Sequence, residues 1–278
     1  MTATPNAPVK HGTSLAGAGL RLTYGERVVA DELDLDIPVG KVTALVGPNA
    51  CGKSTALRAL ARLLKPAAGA VHLDGDDIAA LPTRELALRL TLLPQTPTAP
   101  DGITVRDLVA RGRTPHQRWW RQWSSADDTV VDHALKATGT AELADRTLDA
   151  LSGGQRQRVW IAMALAQDTP VLLLDEPTTY LDLAHQVDVL ELVAHLNRTK
   201  GRTIVMVLHE LNLACRYADH LIAMRDGTVI AAGPPSEVVT PDLVHDVFDL
   251  NATVITCPVA GTPLVIPDGR PHPQTDTP

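Results

Sequence analysis

The chain has 278 residues, is 45% hydrophobic and 21% charged, and carries a formal net charge of −7. That is enough apolar sequence for a large core, in one domain with an insertion or in two modest domains. The acidic balance argues against a protein whose main task is to grip nucleic acid, and no run approaches the roughly 18 apolar residues that cross a bilayer.

The start, Met1-Thr-Ala-Thr-Pro-Asn6, lacks the apolar stretch of a secretory signal, so the chain is expected in the cytosol. Cys51, Cys215 and Cys257 are widely spaced, form no Cys-x-x-Cys pair and read as reduced thiols. Residues 1–14 are small, polar and Pro-containing and are expected to be flexible. Leu33, Leu35 and Ile37 then alternate with Asp34 and Asp36, the period of a half-buried strand in an antiparallel layer. Continuous apolar runs at 42–46, 171–174 and 204–208 predict parallel strands buried on both faces, and so a helix-bearing α/β sheet. Between Gln95 and Leu151 such runs stop. There 126–138 has helical spacing, with Val130, Val131, Ala134 and Leu135 on one side, which predicts a helical insertion. Further on, 221–224 and 228–232 flank Asp226-Gly227, a hairpin turn that requires positive φ at both central positions. Beyond 240, a short helix (Leu243, Val244, Val247) and a strand-like 252–255 precede a Pro-rich end expected to be disordered.

Three motifs carry chemistry. Gly47-Pro-Asn49-Ala50-Cys51-Gly52-Lys53-Ser54-Thr55 follows a buried strand and opens a helix with Leu57, Leu60, Ala61 and Leu64 on one face. In that context backbone N–H groups converge on phosphate, Lys53 adds a positive charge, and Ser54 offers a hydroxyl to Mg²⁺. The second motif ends a buried strand in Asp175-Glu176, a pair that suits a Mg²⁺ shell and a proton acceptor for water, or else only strand-end solubility. Together the two motifs indicate Mg²⁺-dependent hydrolysis of a nucleoside triphosphate. The third, Leu151-Ser152-Gly153-Gly154-Gln155, opens another helix, with Ser152 as N-cap and Val159, Ala162, Met163 and Ala166 inward. It is a second anion-ready helix start in a chain whose nucleotide needs only one.

With that pentapeptide the sequence resembles the ABC ATPase family over roughly residues 15–240. The resemblance implies a P-loop NTPase (RecA-like) α/β core at 15–94 and 166–240, with an antiparallel β subdomain, a helical signature subdomain at 95–165 and a small extension at 241–278. It implies that Ser152, Gly153, Gly154 and Gln155 close over ATP held by the phosphate loop of a second subunit, most simply an identical one. It also implies roles for Tyr24 (stacked on adenine), Gln95 (Mg²⁺ and water), Asp182 (cross-dimer loop) and His209 (γ-phosphate). The Mg²⁺ set becomes Ser54, Gln95 and Asp175, and the catalytic set Glu176, His209 and Gln95. Two departures stand out. Ala50 replaces a Gly common in the family, which predicts a negative φ there. Cys51 sits inside the loop, as a small packing residue or a redox-sensitive thiol.

The chain lacks a coiled-coil insertion, zinc-type cysteines and a tandem ATPase domain, which sets aside ABC proteins of repair or translation. It looks like a subunit whose permeases are separate chains, on the cytoplasmic face of a membrane, with a substrate-binding protein as indirect partner. The stretches 93–95, 104–116 and 208–219 are similar to ATPases of iron-siderophore, haem and cobalamin uptake; iron-siderophore is favoured, with cobalamin, haem or another metal chelate as alternatives. Within 111–123, Trp119, Trp120 and Trp123 sit among basic residues, a pattern open to permease docking, an inert face or single-stranded nucleic acid.

Overall fold

The computed structural model describes residues 14–117, 123–179 and 181–269. The N-terminal residues expected to be flexible fall outside that set, apart from Ser14, as do Trp119, Trp120 and the last nine residues.

The first hairpin pairs β1 (Leu15–Tyr24) with β2 (Arg27–Ile37). In β2 the side chains of Leu33, Leu35 and Ile37 are buried and those of Asp34 and Asp36 are exposed, which is the alternation read from the sequence. β3 (Val42–Val46) leads through the phosphate loop into α1 (Lys53–Leu60). β4 (Ala68–Leu73) and the two-residue β5 (Asp76–Asp77) complete a four-stranded antiparallel sheet, ordered β2-β1-β4-β5. Next come α2 (Thr83–Arg89) and β6 (Leu90–Leu93).

The helical insertion contains α3 (Val105–Arg111), α4 (Ser125–Ala137) and α5 (Gly153–Ala166). Its three helices meet at one buried ion pair. Arg113, just beyond α3, donates Nε to Asp127 in the first turn of α4 (2.9 Å) and Nη1 to the Ala166 carbonyl at the end of α5 (2.8 Å). So within the basic, aromatic stretch Arg113 faces inward, whereas Trp123 is 42% exposed.

The chain returns through β7 (Val171–Leu174), α6 (Leu183–Lys200), β8 (Thr203–Val207), α7 (Leu211–Tyr217), β9 (His220–Arg225) and β10 (Thr228–Gly233). Asp226 and Gly227 turn the β9–β10 hairpin at φ 49° and 81°. The main sheet runs β10-β9-β3-β8-β7-β6, parallel except for β10 at its edge. Its parallel strands are buried on both faces. Leu45, Leu173, Val205 and Val207 pack with α1 and the antiparallel sheet, while Ala44, Leu172, Leu174 and Met206 pack with α5, α6 and α7. Each fully buried Leu or Val contributes about 1.5–3 kcal/mol, which fixes the strand ends that carry the motifs.

After α8 (Pro235–Val238) and α9 (Pro241–Phe248), the tail forms a hairpin of β11 (Asn251–Thr256) and β12 (Pro263–Gly269). The second strand corrects the expectation of disorder for residues 263–269; the rest of the Pro-rich end lies outside the described residues. Leu264, Val265 and Ile266 supply an apolar run, and proline is tolerated because, among the described residues, the sheet has two strands, each with an edge free of pairing. The hairpin is tied to α7 by Asn212, whose Nδ2 donates to the Val265 carbonyl (3.1 Å) while its Oδ1 accepts from the Val265 N–H (2.8 Å). Among the described residues no helix is long and apolar enough to cross a membrane.

Candidate active site

β6, β7, β8 and β3 are neighbours in the main sheet, so the segments leaving their C-terminal ends share one edge. Ligands of open parallel sheets bind at that edge. Gln95 follows β6, Asp175 and Glu176 follow β7, His209 follows β8, and the phosphate loop follows β3.

The loop is shaped by close approach. A Cβ on Gly47 would lie 2.1 Å from the Met224 carbonyl oxygen and 2.9 Å from Cys51 Sγ, so only glycine fits. Ala50 has φ 62°, which overturns the expected negative value. The loop must curl back to bring its N–H groups together, and tertiary packing imposes on Ala50 a left-handed geometry that costs an L-residue about 1–2 kcal/mol. Cys51 is 3% exposed, packed between Gly47 and the Lys53 ammonium, which is 3.9 Å from its sulfur. α1 has no side-chain cap and no acidic residue in its first turn, so its leading N–H groups are free for an anion. Lys53 is buried and donates Nζ to the carbonyls of Gly47 (2.9 Å) and Pro48 (2.8 Å).

Asp175 is 1% exposed, and neither carboxylate oxygen has a hydrogen-bond partner. Burial pushes its carboxyl up, against the Ser54 hydroxyl and the Arg58 guanidinium, whose Nε is 4.0 Å away. An orphaned, buried oxygen donor beside a serine hydroxyl is the environment a hard divalent cation satisfies, so these residues fit Mg²⁺.

Glu176, held at φ 52°, is the hub of a polar network. Its Oε2 accepts from Gln95 Nε2 and from Thr179 Oγ1 (3.0 Å), and its Oε1 lies 2.7 Å from His209 Nε2. Tyr24 is 47% exposed at the rim, with its hydroxyl 3.4 Å from Arg58 Nη1.

A cavity of about 500 Å³ is lined by Tyr24, Asn49, Gly52, Lys53, Ser54, Thr55, Gln95, Glu176 and His209. All were candidates from sequence. Gly47 and Asp175 are not in its lining. Ala50, Arg27 and Val29 also line it, the last two on the strand that pairs with Tyr24's, and neither was anticipated. Thr179 and Arg58 were missed too. The signal for Thr179 was its place three residues beyond Glu176.

The remaining candidates lie outside this cavity. Ser152 caps α5 in a capping box: its hydroxyl accepts from Gln155 N–H (3.3 Å), and Gln155 Oε1 accepts from Ser152 N–H (3.1 Å). Ser152 and Gly153 are exposed, and Gly154 is buried. Asp182 caps α6 through the His185 N–H (2.9 Å) and also bonds that residue's Nδ1 (2.7 Å). The backbone N–H of His185, then its ring, hold the exposed Asp182 carboxyl below the usual range.

Known proteins resemble this chain in sequence and in fold. The family described as ABC transporter matches residues 30–179. The achromobactin transport ATP-binding protein CbrD of Dickeya dadantii (strain 3937) is 55% identical over 262 residues, which cover 94% of this chain and 97% of that protein. The ferric enterobactin transport ATP-binding protein FepC of Escherichia coli (strain K12) is 54% identical over 261 residues, covering 94% and 96%. Among solved structures, the dimeric MJ0796, a bacterial ABC transporter cassette, matches with a TM-score of 0.70 at 29% identity, over 79% of this chain and 98% of that one. Likeness of this extent, joined to a phosphate loop and a signature turn that lies outside its cavity, makes the chain a member of the ABC transporter family, an ATP-binding subunit that hydrolyses ATP with Mg²⁺.

Proposed function

We propose that this chain is the ATP-hydrolysing subunit of an importer for iron-siderophore complexes. It works as a pair with a second ATPase subunit, taken to be identical, at the cytoplasmic face of a membrane. Separate permease subunits carry the cargo, which a substrate-binding protein delivers; nucleic acid has no part. The observation that carries the paired reading is the separation of one nucleotide cavity from a second, exposed helix start in the same chain. The cargo is inferred from the achromobactin and ferric enterobactin systems of the relatives.

In this reading Tyr24 stacks on adenine, and the loop N–H groups from Gly47 to Thr55, with Asn49 and Gly52, cradle the phosphates. Lys53 exchanges the carbonyls of Gly47 and Pro48 for phosphate oxygens. Ser54, Gln95 and Asp175 hold Mg²⁺, which when bound neutralises charge on the phosphates. Glu176 orients water and accepts its proton, His209 turns from Glu176 Oε1 to the γ-phosphate, and Thr179 keeps the carboxylate aimed. Ser152, Gly153, Gly154 and Gln155, with Asp182 beside them, close the partner's site. The Ser152 hydroxyl accepts within its own turn, so its proton remains free to meet that γ-phosphate.

The test is growth of a strain deleted for this gene, with a ferric siderophore as sole iron source. Growth should fail, return with the wild-type gene and not with Glu176→Gln. Unimpaired growth on every ferric siderophore supplied would overturn the cargo assignment.

A further inference from the structure

We infer that His185 is a positioning residue that locks the cross-dimer loop onto the signature turn of the same subunit, so that both meet the partner's nucleotide as one unit. This rests on the reading above, in which Ser152 and Asp182 act across a dimer.

Two contacts on opposite sides of one ring carry it. Asp182 Oδ1 takes the backbone N–H of His185 at 2.9 Å and its Nδ1 at 2.7 Å. A carboxylate only accepts, so Nδ1 carries the proton in this bond. The rest of the ring covers Gly154: a Cβ built there would lie 2.4 Å from His185 Cδ2, 2.8 Å from Cγ and 3.0 Å from Nε2. A side chain at Gly154 would force the ring out of this position. The covering ring explains why Gly154 is buried while Ser152 and Gly153 beside it are exposed. The absence of a side chain at Gly154 therefore serves the seat of this ring as well as any approach of phosphate.

An ordinary first-turn helix residue needs neither contact. Through His185 a shift of the loop at Asp182 is transmitted to the start of α5. The residue lies outside the nucleotide cavity, so its effect belongs to closure of the pair and not to capture of ATP by one subunit.

The experiment uses the full chain with Glu176→Gln, reading the ATP/Mg²⁺-driven dimer dissociation constant by sedimentation and the ATP affinity of the monomer by calorimetry. His185→Leu fills the space and removes the bond, His185→Asn restores a donor near the Nδ1 position, and Ser152→Arg is the control. Loss of one charge-assisted bond predicts dimerisation weakened about tenfold by Leu and less than about threefold by Asn, with monomer ATP affinity within about twofold in both. Unchanged ATP affinity also shows that the variants fold. If Leu dimerises like its parent while Ser152→Arg blocks assembly, the role of His185 is lost and the shared site stands. Equal weakening by Leu and Asn assigns His185 to packing alone and overturns the positioning bond. Should Ser152→Arg itself dimerise normally, the shared-site reading fails and takes this proposal with it.

Discussion

The phosphate loop and the starts of α5 and α6 use the same device, a helix N-terminus, in opposite ways. α1 has no side-chain cap, and its free N–H groups open on a cavity furnished by its own chain. α5 and α6 are capped internally by Ser152 and Asp182, and none of the groups around them lines that cavity. An uncapped helix start is costly unless a ligand completes it, so α1 is built around its ligand. A capped start is stable by itself and can be held ready for a second molecule. One region takes its ligand from solution, and the other is finished before its counterpart arrives.

The largest effect should separate capture from turnover. Glu176→Gln keeps the shape of the hub while removing the proton acceptor, and turnover should fall by at least about a hundredfold. ATP affinity, read by calorimetry, should stay within a few-fold. Hydrolysis near wild-type rate would break the division between a binding cavity and a catalytic hub.

The second prediction loads the other region. Arg113 and Asp127 are about nine-tenths buried at the junction of α3, α4 and α5. Burial would raise the Asp127 carboxyl, but hydrogen bonds from Ser124 and Arg113 outweigh it and hold it below its ordinary 3.8. Asp127→Asn leaves a buried guanidinium without its counter-charge and should cost about 2–3 kcal/mol in thermal or chemical unfolding. Because the folded value is depressed, this contribution is full above the ordinary carboxylate range and lost as pH falls through the lower folded value. The stability gap between wild type and variant should therefore narrow below about pH 4. The ATP affinity of the monomer should not move; if it does, the two regions are less independent than their geometry implies.

Smallest is Ala50→Gly. Removing a left-handed alanine relieves strain, less the extra freedom glycine has when unfolded, for a net gain of about 0.5–1 kcal/mol. A loss of stability in unfolding titrations would mean that the methyl group contributes packing that outweighs its φ.

These cases also mark what the sequence discloses. The buried strands, the half-buried alternation of Leu33, Leu35 and Ile37, and the Asp226-Gly227 turn are local patterns, and local patterns are what a sequence displays. The residues lining the nucleotide cavity were mostly legible because the phosphate loop and the Asp175-Glu176 strand end are contiguous. Ala50 was misread because its φ is imposed by the closing of the whole loop, against its own preference. β12 was hidden because its anchor, Asn212, is distant in sequence and its prolines mimic disorder. Arg113 was read with the basic, aromatic stretch around it, yet its counter-charge lies fourteen positions on, across a segment with no regular period. His185 acts through turn geometry that no spacing rule encodes.

The clasp between Asn212 and Val265 bears on how the protein is made and cut. His209 stands two residues before α7, and the fastening of that helix comes from a strand 53 positions later, made after the helix has left the ribosome. Every recognised motif has been synthesised by then. A shortened gene product ending after the β9–β10 hairpin would carry the full set of motif residues while the helix behind His209 lacked its anchor. An affinity tag appended beyond residue 269 leaves the clasp whole, whereas trimming to the motif boundaries removes it.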